Sequence, residues 1–443
     1  MKILFVENRE KTLFWEKVAL SLMARGHQIG WIVQNHIFRP REMPEGTPIY
    51  ILPYPLGSAP PAADVEAWVR VHHPEVITDR GRTFFGAGAA HYSHYKAKIG
   101  HALKEFQPDL VIGESTLFHE LITIDLCRAA GLMYVQPMGT RYPRGRFSLL
   151  AYDTQVPAIE SGDSWTDEQA GDLAQRIASG TEVPAYMRVP GRAEKMRRKA
   201  RWAISRSRIW WARIQGERYN TPSIARKYAL QKIVERNTAR WFAMQKVPQS
   251  AAKTILYPMQ LQPESNVDVW GRPYSDQVET IRELLSAAPR DYQIAVKANP
   301  KAKYELNEDL FELASSDPRV CLLPFKMGMP EALAACIGAV TVTGTVGFEA
   351  ICGKGRAISL RHPIIENEFP DFHAASPSLA VERLISEPTA GVGNLDLGTR
   401  LIKRFVNQTF IGRVSDPFSA PECVEPKNVT LVAEALSLVL RRD

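Results

Sequence analysis

What the chain has little of narrows it first. Its five cysteines, Cys127, Cys321, Cys336, Cys352 and Cys423, are scattered and form no C-x-x-C pair. That spacing excludes a disulfide framework or zinc ribbon and fits reduced thiols in a cytosolic protein. No apolar run approaches the roughly 20 residues that span a bilayer. Met1-Lys2-Ile3-Leu4-Phe5-Val6 runs straight into Glu7, Arg9 and Glu10, too short an apolar stretch for a secretory signal. His, Asp and Glu nowhere fall at metal-ligand spacing, so no metal and no cofactor is expected; His72, His73 and His362 read as surface residues or as supports behind a site. Acidic residues are outnumbered 48 to 55 by Lys and Arg, and the net charge of +7 implies an acidic partner such as an anionic membrane face, a phosphorylated substrate or nucleic acid.

What is present is an α/β alternation long enough for two domains. Lys2–Val6 reads as a strand, 12–25 as an amphipathic helix stopped by Gly26, and 28–34 as a second strand. A third strand is expected over 48–53, loops and short helices over 56–90, a helix over His91–Phe106, a strand over 108–115, a helix over 117–130 and a strand over 133–137. Ligands of open α/β sheets sit beyond the carboxyl ends of strands. Glu114, which ends one such strand, therefore either does chemistry or caps the helix that follows. The loop after Pro137 carries Arg141, Arg144 and Arg146, which either meet an anionic substrate or form a solvated face.

From 161 to 247 the alternation breaks. Arg188 to Arg213 is densely basic, with Arg197 and Arg198 among its cations and Trp202, Trp210 and Trp211 interleaved. A basic helix bearing tryptophan suits an anionic membrane surface. The alternatives are a helical insert whose tryptophans pack on the domain, and nucleic-acid binding, which no accompanying recognition motif supports. Alternation resumes at Thr254 with strands over 254–258, 293–297, 320–323 and 357–360, separated by helices over 274–288, 306–315 and 329–336. The expected organisation is a Rossmann-like domain over 1–160, the basic insert over 161–247, a second Rossmann-like domain over 248–415, and a C-terminal helix in 416–443 returning to the first domain.

Chemistry concentrates around Val340-Thr341-Val342-Thr343-Gly344-Thr345-Val346-Gly347-Phe348-Glu349-Ala350. A β-branched run ending in small residues and turning into a helix delivers an anionic ligand to free N–H groups. Three more pieces precede it: the polar loop 257–266 with Gln262, Glu264 and Asn266, the strand-end element Val296-Lys297-Ala298-Asn299-Pro300, and Leu323-Pro324-Phe325, where an aromatic or backbone contact to a base is expected. Transfer of a sugar from a nucleotide develops negative charge on the leaving phosphate and positive charge at the anomeric carbon. Lys297 and a helix start answer the first. Glu264 answers the second, and Glu114 takes the acceptor's proton.

This ordered set, clearest over 254–364, resembles the capsule polysaccharide biosynthesis family, GT-B-type glycosyltransferases that include enzymes adding 3-deoxy-manno-octulosonic acid (Kdo) from a CMP-activated donor. The resemblance implies two doubly wound Rossmann-like domains. It also implies a nucleophile-like Glu264, an acid/base at Glu114, and donor contacts from Gln262, Asn266, Lys297, Asn299, Phe325, Thr343, Gly344, Thr345, Gly347 and Glu349. Asn299 stands where the family usually has histidine, and Glu264 where it usually has aspartate. No resemblance is seen in the basic insert. The implied partners are a nucleotide-sugar donor, with a CMP-linked 2-keto acid sugar favoured, and a saccharide or lipid-linked acceptor. Arg141, Arg144 and the basic helix serve the acceptor or the inner membrane face, and nucleic acid is not expected. A nucleotide-sugar 2-epimerase and a non-catalytic assembly factor of the same fold are the competing readings.

Overall fold

The computed structural model describes residues 1–55, 64–182 and 192–440. Two compact units form: Met1–Ser164 with Pro184–Ile224 and Phe405–Asp443, and Trp165–Val183 with Ala225–Arg404. Each is built on its own sheet, the first mixed with a parallel core and the second fully parallel.

In the first unit β1 (Lys2–Val6), β2 (Gln28–Val33), β3 (Ile49–Ile51), β4 (Leu110–Ile112) and β5 (Met133–Gly139) are parallel, in spatial order β3-β2-β1-β4-β5. The continuous apolar runs of β1 and β4 are buried on both faces, as parallel strands require. Helix Thr12–Met23 buries Phe14, Trp15, Val18 and Leu22, and the C-terminal helix Pro426–Val439 packs against it through Val429, Val432 and Leu436.

The arginine loop expected after Pro137 is only partly a loop. β6 (Arg146–Ala151) turns back antiparallel to β5, and β7 (Pro157–Ile159) and the short strand Phe410–Ile411 pair antiparallel with β6. Arg146 hid this strand by placing a charge at its first position. Its guanidinium is buried, pairs with Asp163, and donates to Thr409 Oγ1 at 2.9 Å and to the carbonyls of Val406 and Thr409. Arg146 is therefore neither solvated nor open to a substrate; it ties the returning chain to the sheet edge. Arg146→Ala strands those acceptors and is expected to destabilise the unit by about 3 kcal/mol. The check is a lower denaturant midpoint with an unchanged slope.

In the second unit β8 (Thr254–Pro258), β9 (Gln293–Lys297), β10 (Val320–Leu322), β11 (Gly338–Thr341) and β12 (Ala357–Ser359) are all parallel, in order β10-β9-β8-β11-β12. The stretch 161–247 is shared between the units. Helix Arg192–Ile214 belongs to the first, with Ser205 and Ala212 buried, while helices Asp167–Ala178 and Ile224–Met244 belong to the second. Buried Trp241 fixes Ile224–Met244 to its sheet, its Nε1 donating to the Leu323 carbonyl at 2.9 Å. The return of the chain to the first unit begins at Phe405, ahead of the expected 416.

Both sheets repeat one topology. From the first strand the order runs outward one way, then reverses, which leaves a switch point between β1 and β4 and another between β8 and β11. At such points the loops diverge and a crevice opens at the carboxyl edge.

Candidate functional site

The first switch point holds a cavity of about 370 Å³, lined by Asn8, Arg9, Lys11, Arg80, Glu114 and Asp416 among others. Beside the lining residue Arg9, Glu7 is buried and accepts hydrogen bonds from the N–H of Arg9 at 2.6 Å and of Asn35 at 2.9 Å. Burial pushes the Glu7 carboxyl above its ordinary range, while His119 and the two N–H donors pull it down. The grip on Arg9 matters because that residue has φ +43°, a left-handed conformation uncommon outside glycine.

Glu114 follows β4 through Gly113. A Cβ on Gly113 would lie 2.1 Å from the Tyr134 hydroxyl oxygen, so only glycine lets that hydroxyl reach under the backbone and donate to the Glu114 carbonyl at 2.6 Å. The Glu114 carboxylate pairs with Lys11 and receives Asn8 Nδ2 at 3.4 Å. Burial raises its pKa; Lys11 opposes the rise, and Glu120 and Asp416 add to it. The other role open to Glu114, capping the next helix, is filled by Glu120. That carboxylate accepts from the N–H groups of Thr116 at 3.0 Å and Leu117 at 2.8 Å at the start of helix Phe118–Ala129. Asn8, Lys11, Arg80 and Asp416 were missed from sequence. The one available signal was that Asn8–Lys11 follow the first strand just as Glu114 follows the fourth.

At the second switch point amides join the strand ends. Gln260 donates through Nε2 to Thr343 Oγ1 at 2.9 Å and accepts from Thr343 N at 3.1 Å, and the Thr343 hydroxyl donates to the Asn266 carbonyl at 2.8 Å. Gln277 donates to Gln262 Oε1 and to the Gln260 carbonyl, both at 2.8 Å. Gly344 donates to Thr341 Oγ1 at 3.1 Å, and a Cβ there would meet that oxygen at 2.3 Å. Thr345 precedes helix Val346–Ile351, in which Gly347 is buried and Glu349 pairs with Lys354 at 2.8 Å. Lys297 ends β9 buried, with its Nζ 3.3 Å from the Ala298 carbonyl and no carboxylate partner among the described residues. Burial holds its pKa below the usual lysine value.

Other expected donor contacts serve local structure. Asn299 Oδ1 accepts from Lys301 N at 2.9 Å, making a turn, and Phe325 packs at ring-centroid distances of 5.4 Å on Phe242 and 6.4 Å on Trp241. Glu264 is exposed and its side chain makes no hydrogen bond among the described residues. One helical turn on, Asp268 is the buried acid. It accepts from Gln262 Nε2 at 2.6 Å and Glu264 N at 2.9 Å, and burial pushes its pKa up to about 6. Sequence reading missed it because the Gln-Pro-acid pattern drew attention to Glu264. His362 and His73 are buried, not on the surface. Among the described residues no three His, Cys, Asp or Glu side chains gather as a metal site requires.

On helix Arg192–Ile214 the side chains of Arg197, Arg198 and Trp202 lie outside the described residues. Trp210 and Trp211 are about half exposed, at 50% and 52%, and Ile204 and Ile214 are also exposed. About half of each of these two tryptophans is therefore left uncovered by the unit. The inner side is fixed by Arg208, which donates to the Ile37 carbonyl at 2.7 Å and lies over Phe38. Arg141 and Arg144 are partly buried and both engaged. No described helix is long and apolar enough to cross a membrane.

A comparison with curated proteins finds no significant match. Among solved structures, UDP-GlcNAc 2-epimerase from Methanocaldococcus jannaschii matches at 15% identity, covering 91% of this chain and 99% of that one, with a TM-score of 0.26. UDP-GlcNAc 2-epimerase from Neisseria meningitidis bound to UDP-GlcNAc matches at 11% over all of both chains, with a TM-score of 0.23. The calicheamicin glycosyltransferase CalG4 matches at 14% over 100% and 98% of the two chains, with a TM-score of 0.26. At such TM-scores these likenesses carry no weight on function. The model of the family described as "Capsule polysaccharide biosynthesis protein" matches residues 210–363. That range holds β8 to β12 and begins inside the basic stretch, where no resemblance was expected. Over residues 210–363, about a third of its length, the chain is similar to the capsule polysaccharide biosynthesis family.

Proposed function

We infer that this chain is a glycosyltransferase that moves a sugar from a nucleotide donor onto a growing surface polysaccharide or glycolipid. The observation that carries the reading is Lys297: a buried lysine with no carboxylate partner among the described residues, at the carboxyl edge of the sheet that the family match covers. A buried charge without a partner is costly, and an anionic ligand offsets that cost. The donor phosphate fits there, at the carboxyl edge of the sheet that also carries the Thr343–Gly344 turn two strands away.

In this reading charge develops in two places. Lys297 stabilises the leaving phosphate. A carboxylate of the 262–268 loop stabilises the cationic anomeric carbon; Glu264 is the family's position for it, and Asp268 orients that loop by gripping Gln262 and the Glu264 N–H. Glu114 accepts the acceptor's proton, its raised pKa making it a stronger base than an exposed glutamate. A CMP-linked 2-keto acid sugar such as Kdo is the donor we favour, on the family resemblance alone. Calorimetry with CMP, UDP and GDP tests the reading: saturable binding of one of them supports it, and no binding of any overturns it.

The exposed face of Ile204, Trp210, Trp211 and Ile214 on a basic helix supports peripheral attachment to an anionic membrane. Flotation with anionic liposomes is expected to carry the protein at low salt, and Trp210→Ala with Trp211→Ala to abolish it. Flotation unchanged by the double substitution would remove the membrane assignment.

A further inference from the structure

The first-unit cavity carries charge that base catalysis by Glu114 does not use. Its three carboxylates are committed: Glu114 pairs with Lys11, Glu10 accepts from the Ser205 hydroxyl, and Asp416 Oδ1 accepts from Phe418 N at 3.0 Å and Ser419 N at 2.8 Å. Two guanidinium groups lining the same cavity, Arg9 and Arg80, form no ion pair with a carboxylate among the described residues. Among the described residues the Arg9 guanidinium is held by neutral oxygens, the Asn220 carbonyl and Thr221 Oγ1. Arg80 makes no hydrogen bond or ion pair among the described residues, and its Nε is sealed from solvent without an acceptor. Burial and the neighbouring Arg9 charge lower the Arg80 pKa to about 10, and the nearby Asp79, Glu120 and Glu217 carboxylates offset that fall only in part.

The scaffold holds the pair in place at some cost. Asp79 is buried beside Arg80 and feels its charge, but its oxygens are taken by Gly81 N at 3.1 Å, Arg82 N at 3.2 Å and the Tyr92 hydroxyl at 2.7 Å, and it forms no ion pair with the guanidinium. Arg9 is kept in its left-handed conformation by Glu7, and its carbonyl partner Asn220 is anchored through its own N–H to Glu217 at 3.1 Å and through its side chain to Gln34 at 3.1 Å. A strained residue and a half-buried guanidinium with no ion-paired anion, both lining one cavity, are what a preorganised oxyanion site requires.

We propose that Arg9 and Arg80 form an oxyanion site that recognises a phosphate or carboxylate group on the acceptor, beside the Glu114 base. The proposal rests on the reading of this cavity as the acceptor side of a glycosyltransferase. It narrows the acceptor to anionic saccharides or anionic glycolipids: a group of one or two negative charges seats on the guanidinium pair and presents a neighbouring hydroxyl to Glu114. Lys11, already paired, holds Glu114 and leaves the incoming anion to the arginines.

Calorimetry on the full chain tests this with glycerol 3-phosphate, glucuronate, and glucose as the neutral control. At least one anionic probe is expected to bind at millimolar concentration while glucose does not, and which anion binds separates a phosphorylated acceptor from an acidic sugar. Arg80→Gln and, separately, Arg9→Gln are expected to weaken that binding about tenfold or more, and Arg80→Lys to restore part of it. Folding of each variant is checked by its thermal transition and by nucleotide binding, which reports on the second unit alone. Anion binding that survives both Gln variants, or wild-type protein that binds its nucleotide but neither anion, overturns the proposal. Loss of nucleotide binding in the wild type instead overturns the glycosyltransferase reading, so the two failures are told apart.

Discussion

Glu114→Gln is expected to lower sugar transfer about a hundred- to ten-thousand-fold, the span that one positioned general base supplies, while nucleotide binding is unchanged. The side chain keeps its shape and its contact with Asn8 Nδ2, so the cavity wall is preserved; what goes is the proton acceptor and the ion pair with Lys11. Stability supplies an independent check. The folded-state pKa of Glu114 is raised by burial, so the folded protein binds a proton more readily than the unfolded chain does. Stability from this group therefore falls as pH rises from the ordinary glutamate value through the raised one, and the ionised carboxylate is a net burden at neutral pH. Glu114→Gln removes that burden and is expected to melt no lower than the parent at pH 7. The same raised pKa places the acidic limb of the wild-type pH–rate profile above the ordinary glutamate range. A variant that transfers sugar at the parental rate would remove Glu114 from the chemistry.

Lys297→Met is expected to weaken donor binding about a hundredfold, the scale of losing one charged contact to a phosphate. The fold should be untouched or strengthened. Lys297 is buried against the end of β9, makes a single long contact with the Ala298 carbonyl, and has its pKa depressed by desolvation. For a depressed lysine the sign runs opposite to that of Glu114: the unfolded chain holds the proton more tightly, so stability rises as pH climbs through the folded pKa toward the ordinary lysine value. At neutral pH the charged amine lowers stability, and methionine of similar length fills the same space without charge. Binding assays and thermal melts together separate the outcomes. A variant that loses both stability and nucleotide binding would make Lys297 structural, and one that loses neither would leave the donor site unassigned.

Much of the architecture was legible because parallel strands announce themselves. Lys2–Val6, His91–Phe106, Thr254–Pro258 and Gln293–Lys297 form at the bounds their apolar runs and flanking breakers predict. β6 was not legible, because its first residue is an arginine whose partners, Asp163 and the 406–409 segment, are distant in sequence. The division of 161–247 between the units was hidden for a similar reason. Both long helices are basic outside, and only Ser205 and Ala212 in one, and Trp241 in the other, show which unit each belongs to.

The candidate sites show the same split. Glu114, Lys297 and the Thr343–Gly344 turn stood out because each ends a recognisable strand. Asn8, Arg9 and Arg80 did not, since a loop after a first strand and an arginine among short helices have no pattern of their own. Asp268 and Glu264 illustrate the limit within one loop: sequence placed an acid there, and the structure shows which of the two is buried and hydrogen-bonded.

Nucleotide release from a sugar donor tests the central claim most directly. Phosphorus NMR of CMP-, UDP- and GDP-linked sugars incubated with the protein follows cleavage of the bond to the phosphate, and proton NMR of the UDP- and GDP-linked aldose samples follows exchange at the sugar C2. The account predicts that one donor class releases its nucleotide, that Lys297→Met and Glu114→Gln both slow acceptor-dependent release, and that the C2 proton does not exchange. Exchange at C2 with the donor otherwise intact would identify an epimerase, and donors left unchanged by wild-type protein that binds their nucleotide would contradict sugar transfer.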